Sequence, residues 1–192
     1  MTPTDDAAIA RFRELLQIPT VSRTDESEID WQPFDDFLDA LVRLYPHTHE
    51  TLEREVVDGH SLLYRWPGAQ ASDPLVLMAH LDVVPVVDEE WDHPPFAAEI
   101  VGEGADAAIH ARGAIDDKGA LVAILEAVEQ LVAEGFAPAR DVYLSFGHNE
   151  ETAGEGAQAI VALLTDRGVR PGLVIDEGGA VVDGAVPGVT VP

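Results

Sequence analysis

The sequence predicts an α/β fold in which a mostly parallel central sheet carries helices on both faces. The short apolar run Pro74–Ala79 lacks polar alternation, as a strand covered on both sides does, and Val142–Phe146 and Leu173–Ile175 read as further strands. Segments over Asp117–Gly135 and Ala157–Arg167 read as helices between them. Strand, helix and strand in that order require crossover connections, and crossovers make the strands parallel.

Taken in order, the first helix is expected from about Thr4 to Gln17, where Ile9, Phe12, Leu15 and Leu16 recur at helical spacing and Pro19 ends the run. A second is expected from Phe34 to Tyr45, with Phe34, Phe37, Leu38, Leu41 and Leu44 on one face and Pro46 as the stop. Both should pack on one side of the sheet. Strands at Thr51–Val57 and Ser61–Trp66 flank the pair Asp58-Gly59, which suits a tight hairpin. Residues from Pro85 to Gly104, rich in Pro, Asp and Glu and without a period, read as a long functional loop. The helix from Asp117 to Gly135 has the strongest apolar stripe, through Leu121, Val122, Ile124, Leu125, Val128, Leu131 and Val132, with Gly135 as its C-terminal cap. After Gly178, repeated glycines and prolines suggest turns or a weak hairpin.

A chain of 192 residues with 46% hydrophobic and 24% charged residues has the apolar material for one folded domain. Eleven basic against 36 acidic residues give a formal charge of −25, which repels phosphate backbones and anionic lipid surfaces. Nucleic acid and membrane are therefore excluded as expected partners. Only one base is a lysine, Lys118, and the acidity fits either a salt-adapted or an arginine-favouring source. With no cysteine, a bound cation must use His, Asp and Glu. Acidic residues stand near the N-terminus where a signal peptide would carry basic ones, so a cytoplasmic location is expected.

Four apolar runs end in carboxylates or a histidine, and strand ends are where an α/β fold gathers ligands from distant parts of a chain. His80 and Asp82 share one side of an extended segment, so His80 can offer one ring nitrogen to a metal while Asp82 orients the other. Taken alone, such a pair is more often an ordinary polar cap at a strand end than a metal site. Asp116 and Asp117 precede a helix. An N-cap explains one of them, and the other is free to bridge two cations, with Asp116 favoured as the bridge and Asp117 as the cap or a supporting residue. Glu150 and Glu151 follow a strand, and adjacent acids can divide the work of activating water and holding metal. Asp176 and Glu177, before Gly178 and Gly179, complete the set, although a plain turn also fits there.

In the order His-x-Asp, Ala-Ile-Asp-Asp-Lys-Gly, Gly-His-Asn-Glu-Glu and Asp-Glu-Gly-Gly, the chain resembles the two-zinc exopeptidases and amidohydrolases that include carboxypeptidase S, aminoacylase, succinyl-diaminopimelate desuccinylase and glutamate carboxypeptidase. The stretch Trp91–Phe96 is similar to a Trp-x-x-x-Pro-Phe segment between the first two motifs of that family. The resemblance covers nearly all of residues 5–180 and is strongest to the carboxypeptidase S branch. It implies a zinc-peptidase-like three-layer sandwich and hydrolysis of an amide bond in a small peptide or N-acyl amino acid. His80 and Asp176 would hold one ion, Glu151 the second, and Asp116 both, with Asp82 orienting His80 and Glu150 as general base. Glu177 is the alternative to Asp176. Two divalent cations are implied, zinc first, with cobalt or manganese as alternatives.

Two departures stand out. Ala111-Arg112-Gly113 replaces the family's Gly-Arg-Gly, and no histidine follows His148, whereas the family has a downstream zinc-binding histidine and an inserted dimerising domain. The chain is thus expected to be the N-terminal portion of a longer homodimeric enzyme, with a sheet incomplete on its C-terminal side. A fragment without activity, or a non-catalytic binding domain with an incomplete metal site, is the competing expectation. A purely acidic interaction domain would leave the acids at strand ends unexplained.

Overall fold

The computed structural model describes residues 3–86 and 91–178. Among the described residues five strands form the main sheet: β1 (Glu53–Val57), β2 (Ser61–Trp66), β3 (Gln70–His80), β6 (Arg140–Gly147) and β7 (Leu173–Ile175), in the spatial order β1-β2-β6-β3-β7. β3 is parallel to β6 and β7, while β2 is antiparallel to both β1 and β6. Four strands therefore run one way and β2 alone runs against them, the mostly parallel sheet that the alternating pattern predicts. Asp58 and Gly59 both take positive φ, 51° and 83°, as a two-residue turn matched to strand twist requires.

Helices α1 (Pro3–Leu16), α2 (Gln32–Leu44) and α4 (Lys118–Ala133) cover one face, and α5 (Glu155–Asp166) covers the other. On the first, Leu15, Phe37, Leu41, Leu121 and Leu125 pack with Leu62, Tyr64, Leu144 and Phe146. On the second, Ile160 and Leu164 meet Leu63, Val76 and Tyr143. Period-two alternation sends neighbours such as Leu62 and Leu63 into opposite layers. Each fully buried Leu or Phe contributes roughly 1.5–3 kcal/mol of transfer free energy, and this burial is what binds the three layers.

The structure departs from the sequence reading in three places. Pro46 opens a further helix, α3 (Pro46–Thr51), where the sequence predicts only a stop. Proline is accepted at a first helical position, and Glu129 of α4 caps that helix by accepting the amides of His47 and Thr48 at 3.0 and 2.8 Å. Within the stretch read as a loop, β4 (Glu99–Val101) pairs antiparallel with β5 (Ala108–His110). β3 also starts earlier than expected, with an irregularity between Gln70 and Leu75. The turns or hairpin expected after Gly178 lie outside the described residues.

At the far edge of the sheet, β7 has one hydrogen-bonded neighbour among the described residues, and Leu173, Val174 and Ile175 are about half exposed. An apolar cavity of about 650 Å³ lies beside it, walled by Trp66, Leu75, Ile124, Leu131, Phe136 and Leu173 among others.

Candidate metal centre

Parallel strands end together, and that places the motifs. His80 is the last residue of β3 and lies opposite Gly147, the last of β6, so Glu150 and Glu151 emerge beside it. β7 lies level with Leu75–Leu77, and its continuation delivers Asp176 and Glu177 to the same rim. The turn before α4 brings Asp116 and Asp117 from the side.

His80 is 2% exposed. Its Nδ1 faces the Asp82 backbone carbonyl at 3.1 Å and Asp82 Oδ1 at 3.3 Å. Nδ1–H donated there leaves Nε2 as the ligating atom. Nε2 lies 2.9 Å from Asp116 Oδ1, and 3.8 Å from both Glu150 Oε2 and Glu177 Oε1. Asp82 is wholly buried, and its two carboxylate oxygens accept the backbone amides of Glu150 and Glu151 at 3.1 and 3.2 Å. One carboxylate thus ties β3 to the segment after β6. Asp117 occupies the position before α4 but makes no side-chain cap there; its Oδ2 accepts the His80 amide at 3.2 Å.

Burial works against a charged His80, yet Asp82, Asp116 and Asp117 outweigh it and push its pKa up to about 10. Burial, reinforced by Asp116, raises the Glu151 carboxyl, and burial is also the leading cause that raises Asp117 and Glu177. Crowded, partly desolvated carboxylates around one imidazole call for positive charge in their midst, either protons or a cation. Among the described residues two triads present suitable atoms: His80, Glu150 and Glu177, and His80, Asp116 and Glu151, each set within 4.8 Å of one another. With nitrogen and oxygen donors and no sulfur, the set fits borderline and hard divalent ions with bonds of roughly 2.0–2.2 Å. Among the described residues, the residues fit the metal that the motifs imply.

Of the residues singled out in the sequence, His80, Asp82, Asp116, Glu150 and Glu151 come together. Asp176 sits apart from Nε2: its Oδ1 accepts the Glu177 amide at 2.9 Å, although it borders the same cavity of about 190 Å³ as His80, Glu150 and Glu177. The carboxylate next to His80 is that of Glu177.

Other supports carry no sequence signal of their own. Ser61 Oγ lies 2.7 Å from His148 Nδ1, with both residues buried, and a Cβ on Gly156 would stand 2.1 Å from that oxygen. Only glycine fits there. Asn149 closes the segment that presents Glu150 and Glu151: its Oδ1 accepts the Gly156 amide at 3.0 Å and its Nδ2 donates to Glu155. Gly-His-Asn-Glu-Glu was legible as a motif, but the partners Ser61 and Gly156 were not, since only folding brings them near.

The family model described as peptidase family M20/M25/M40 matches residues 76–190. The chain is 38% identical over 175 residues to the human N-fatty-acyl-amino acid synthase/hydrolase PM20D1, covering 90% of this chain and 34% of that protein. It is 36% identical over 183 residues to the probable carboxypeptidase S-like 2 of Dictyostelium discoideum, covering 92% and 34%. It spans about a third of the length of these relatives. In fold it is similar to the di-peptidase Dug1p of Saccharomyces cerevisiae, with a TM-score of 0.69, 20% identity and coverage of 90% and 38%. Human carnosine dipeptidase 1 is similar at a TM-score of 0.67, 18% identity and coverage of 94% and 40%. Ordered motifs, three-layer sheet and sequence match agree, and the chain belongs to the metal-dependent peptidase family M20/M25/M40.

Proposed function

We propose that the protein containing this chain is a hydrolase that uses divalent metal to cleave an amide bond in a small peptide or an N-acyl amino acid. The observation that carries this reading is the convergence of carboxylates from three other segments on the Nε2 of a buried histidine. His80, Asp116, Glu151 and Asp176 are assigned as metal ligands, with Asp116 shared between two ions. Asp176 is preferred to the nearer Glu177 because its short side chain, already held by the Glu177 amide, loses less rotamer freedom on ligation. Zinc is the ion proposed, with cobalt or manganese as substitutes.

Metal bound among these residues would polarise the amide carbonyl and acidify a water molecule. Asp82 holds the Nδ1–H of His80 and keeps the ring in one orientation. Its grip on the Glu150 and Glu151 amides fixes where those two side chains start. The half-exposed Glu150 carboxylate faces the cavity, takes the proton of the attacking water at an Oε atom and passes it to the departing amine nitrogen.

The names of the relatives support acyl amino acid or peptide substrates, and the third of their length that the chain spans supports a longer protein. We further propose that an additional ligand histidine and a dimerising insertion lie outside these residues, and that the longer protein is a cytoplasmic homodimer. The half-exposed β7 and the apolar cavity beside it support a sheet that continues. This isolated chain is then inactive. The test is to assay the natural full-length protein on N-acyl amino acids and dipeptides, with and without a chelator. Cleavage abolished by chelation and restored by zinc is expected, and cleavage indifferent to chelation defeats the reading.

A further inference from the structure

The chain's one lysine lies inside the molecule. Lys118 has no solvent exposure; its Nζ donates to the carbonyls of Leu15 at 3.1 Å and Ile18 at 2.6 Å and rests 4.7 Å from the centre of the Phe37 ring. Leu15 is in the last turn of α1 and Ile18 lies just past it, where helix carbonyls lack partners within the helix. Lys118 is also the first residue of α4 and directly follows Asp116 and Asp117. Its stem is enclosed: a Cβ on Gly113 would stand 2.8 Å from Val83 Cγ1 and 3.4 Å from Lys118 Cδ, and one on Gly119 would stand 2.5 Å from the Ala114 carbonyl oxygen.

The turn over residues 113–119 is therefore held from two sides. In front, Asp116 and Asp117 reach His80 through its ring and its amide. Behind, the ammonium fastens the same turn to the end of α1. A cap for α1 alone could come from an exposed lysine or arginine with its charge in water, so burial on this turn calls for a further role.

We propose that Lys118 is a positioning residue of the metal centre, holding the Asp116–Asp117 turn against α1 so that the Asp116 carboxylate stays within reach of His80. This rests on the reading of these residues as a metal centre. Asp116 itself is 61% exposed and has only His80 as a side-chain partner among the described residues, so its placement depends on the backbone that carries it.

The test uses Lys118→Met in the natural full-length protein, which keeps an unbranched stem and removes charge and donors, titrated with Co(II) and read by the visible absorption of the bound ion. Leu121→Ala, a core truncation in the same helix, is the comparison for thermal destabilisation. The expected result is Co(II) affinity weakened at least tenfold and an altered spectrum in Lys118→Met, with both preserved in Leu121→Ala despite its lower Tm. Wild-type binding by Lys118→Met, or equal weakening in Leu121→Ala, overturns the proposal. If Lys118→Met does not fold, Phe37→Leu removes the ring beneath the ammonium: a shifted spectrum with weaker binding supports the role, and an unchanged spectrum overturns it. A wild-type protein that binds no Co(II) would strike down the metal-centre reading itself.

Discussion

His80, Asp82, Asp117 and Lys118 are almost entirely out of solvent, and the side chains of the last three are held by backbone groups of other segments, whereas Asp116, Glu150, Asp176 and Glu177 stand on the exposed rim above them. The buried half is a frame: its charges are desolvated and can persist only with their partners in place. The rim half consists of side chains whose carboxylates remain partly in water and can move onto a ligand at little cost. Substitutions below should therefore disturb folding and chemistry together, and substitutions on the rim should disturb chemistry alone.

Asp82→Ala should have the largest effect. It leaves two enclosed backbone amides without their acceptor and removes the carboxylate beside the His80 ring, whose Nδ1 keeps only the carbonyl of residue 82, so a loss of about 3 kcal/mol or more in denaturant unfolding is expected, together with loss of bound metal. Stability and metal content close to wild type would mean that the frame does not depend on this carboxylate.

Glu150→Gln should separate the halves most cleanly. Stability should move by less than about 0.5 kcal/mol and metal should be retained, while turnover falls at least ~100-fold because the amide cannot accept the proton of water. Loss of metal in that variant would make Glu150 a ligand, as its place in a triad with His80 and Glu177 allows, and would reassign the base.

A smaller contrast is expected between two neighbours. Asp176→Asn should lower metal content measured on the purified full-length protein, and Glu177→Gln should leave it near wild type. The opposite order would transfer the ligand role to Glu177, the acid that lies closer to Nε2.

The most modest effect concerns pH. In chelator-treated protein the His80 pKa is raised to about 10 from an ordinary 6.5, so its contribution to stability is fully present below 6.5 and fades as pH rises through about 10. Thermal midpoints should decline over that interval, and a His80→Gln variant should lack this part of the decline. Metal entry near pH 7 should also release protons, measurable by calorimetry in buffers of different ionisation enthalpy.

Elements with a strong internal pattern were readable in advance. α4 follows from its apolar stripe and closing Gly135, β2 from Ser61–Trp66, and the hairpin from Asp58-Gly59. The three-residue strands β4 and β5 are too short to show a period, and each is defined only by the other. α3 looked like a stop because its cap, Glu129, comes from a helix about 80 residues later. The same division runs through the site: the chemistry of the acids could be read from their types and order, but the turning of Asp117 toward the His80 amide, the anchoring of Lys118 and the seating of Ser61 against His148 could not.

What the sequence determined unaided is the inventory and its order: strands that end in His, Asp and Glu, helices between them, and a family pattern that assigns roles. Folding alone decided which atoms meet. A strand's side-chain period says which face a residue takes, but the distance between His80 and Asp116 depends on where a turn is fastened, and its fastenings lie in β3 and at the end of α1. Contacts of that kind join residues far apart in the chain, and no local preference encodes them.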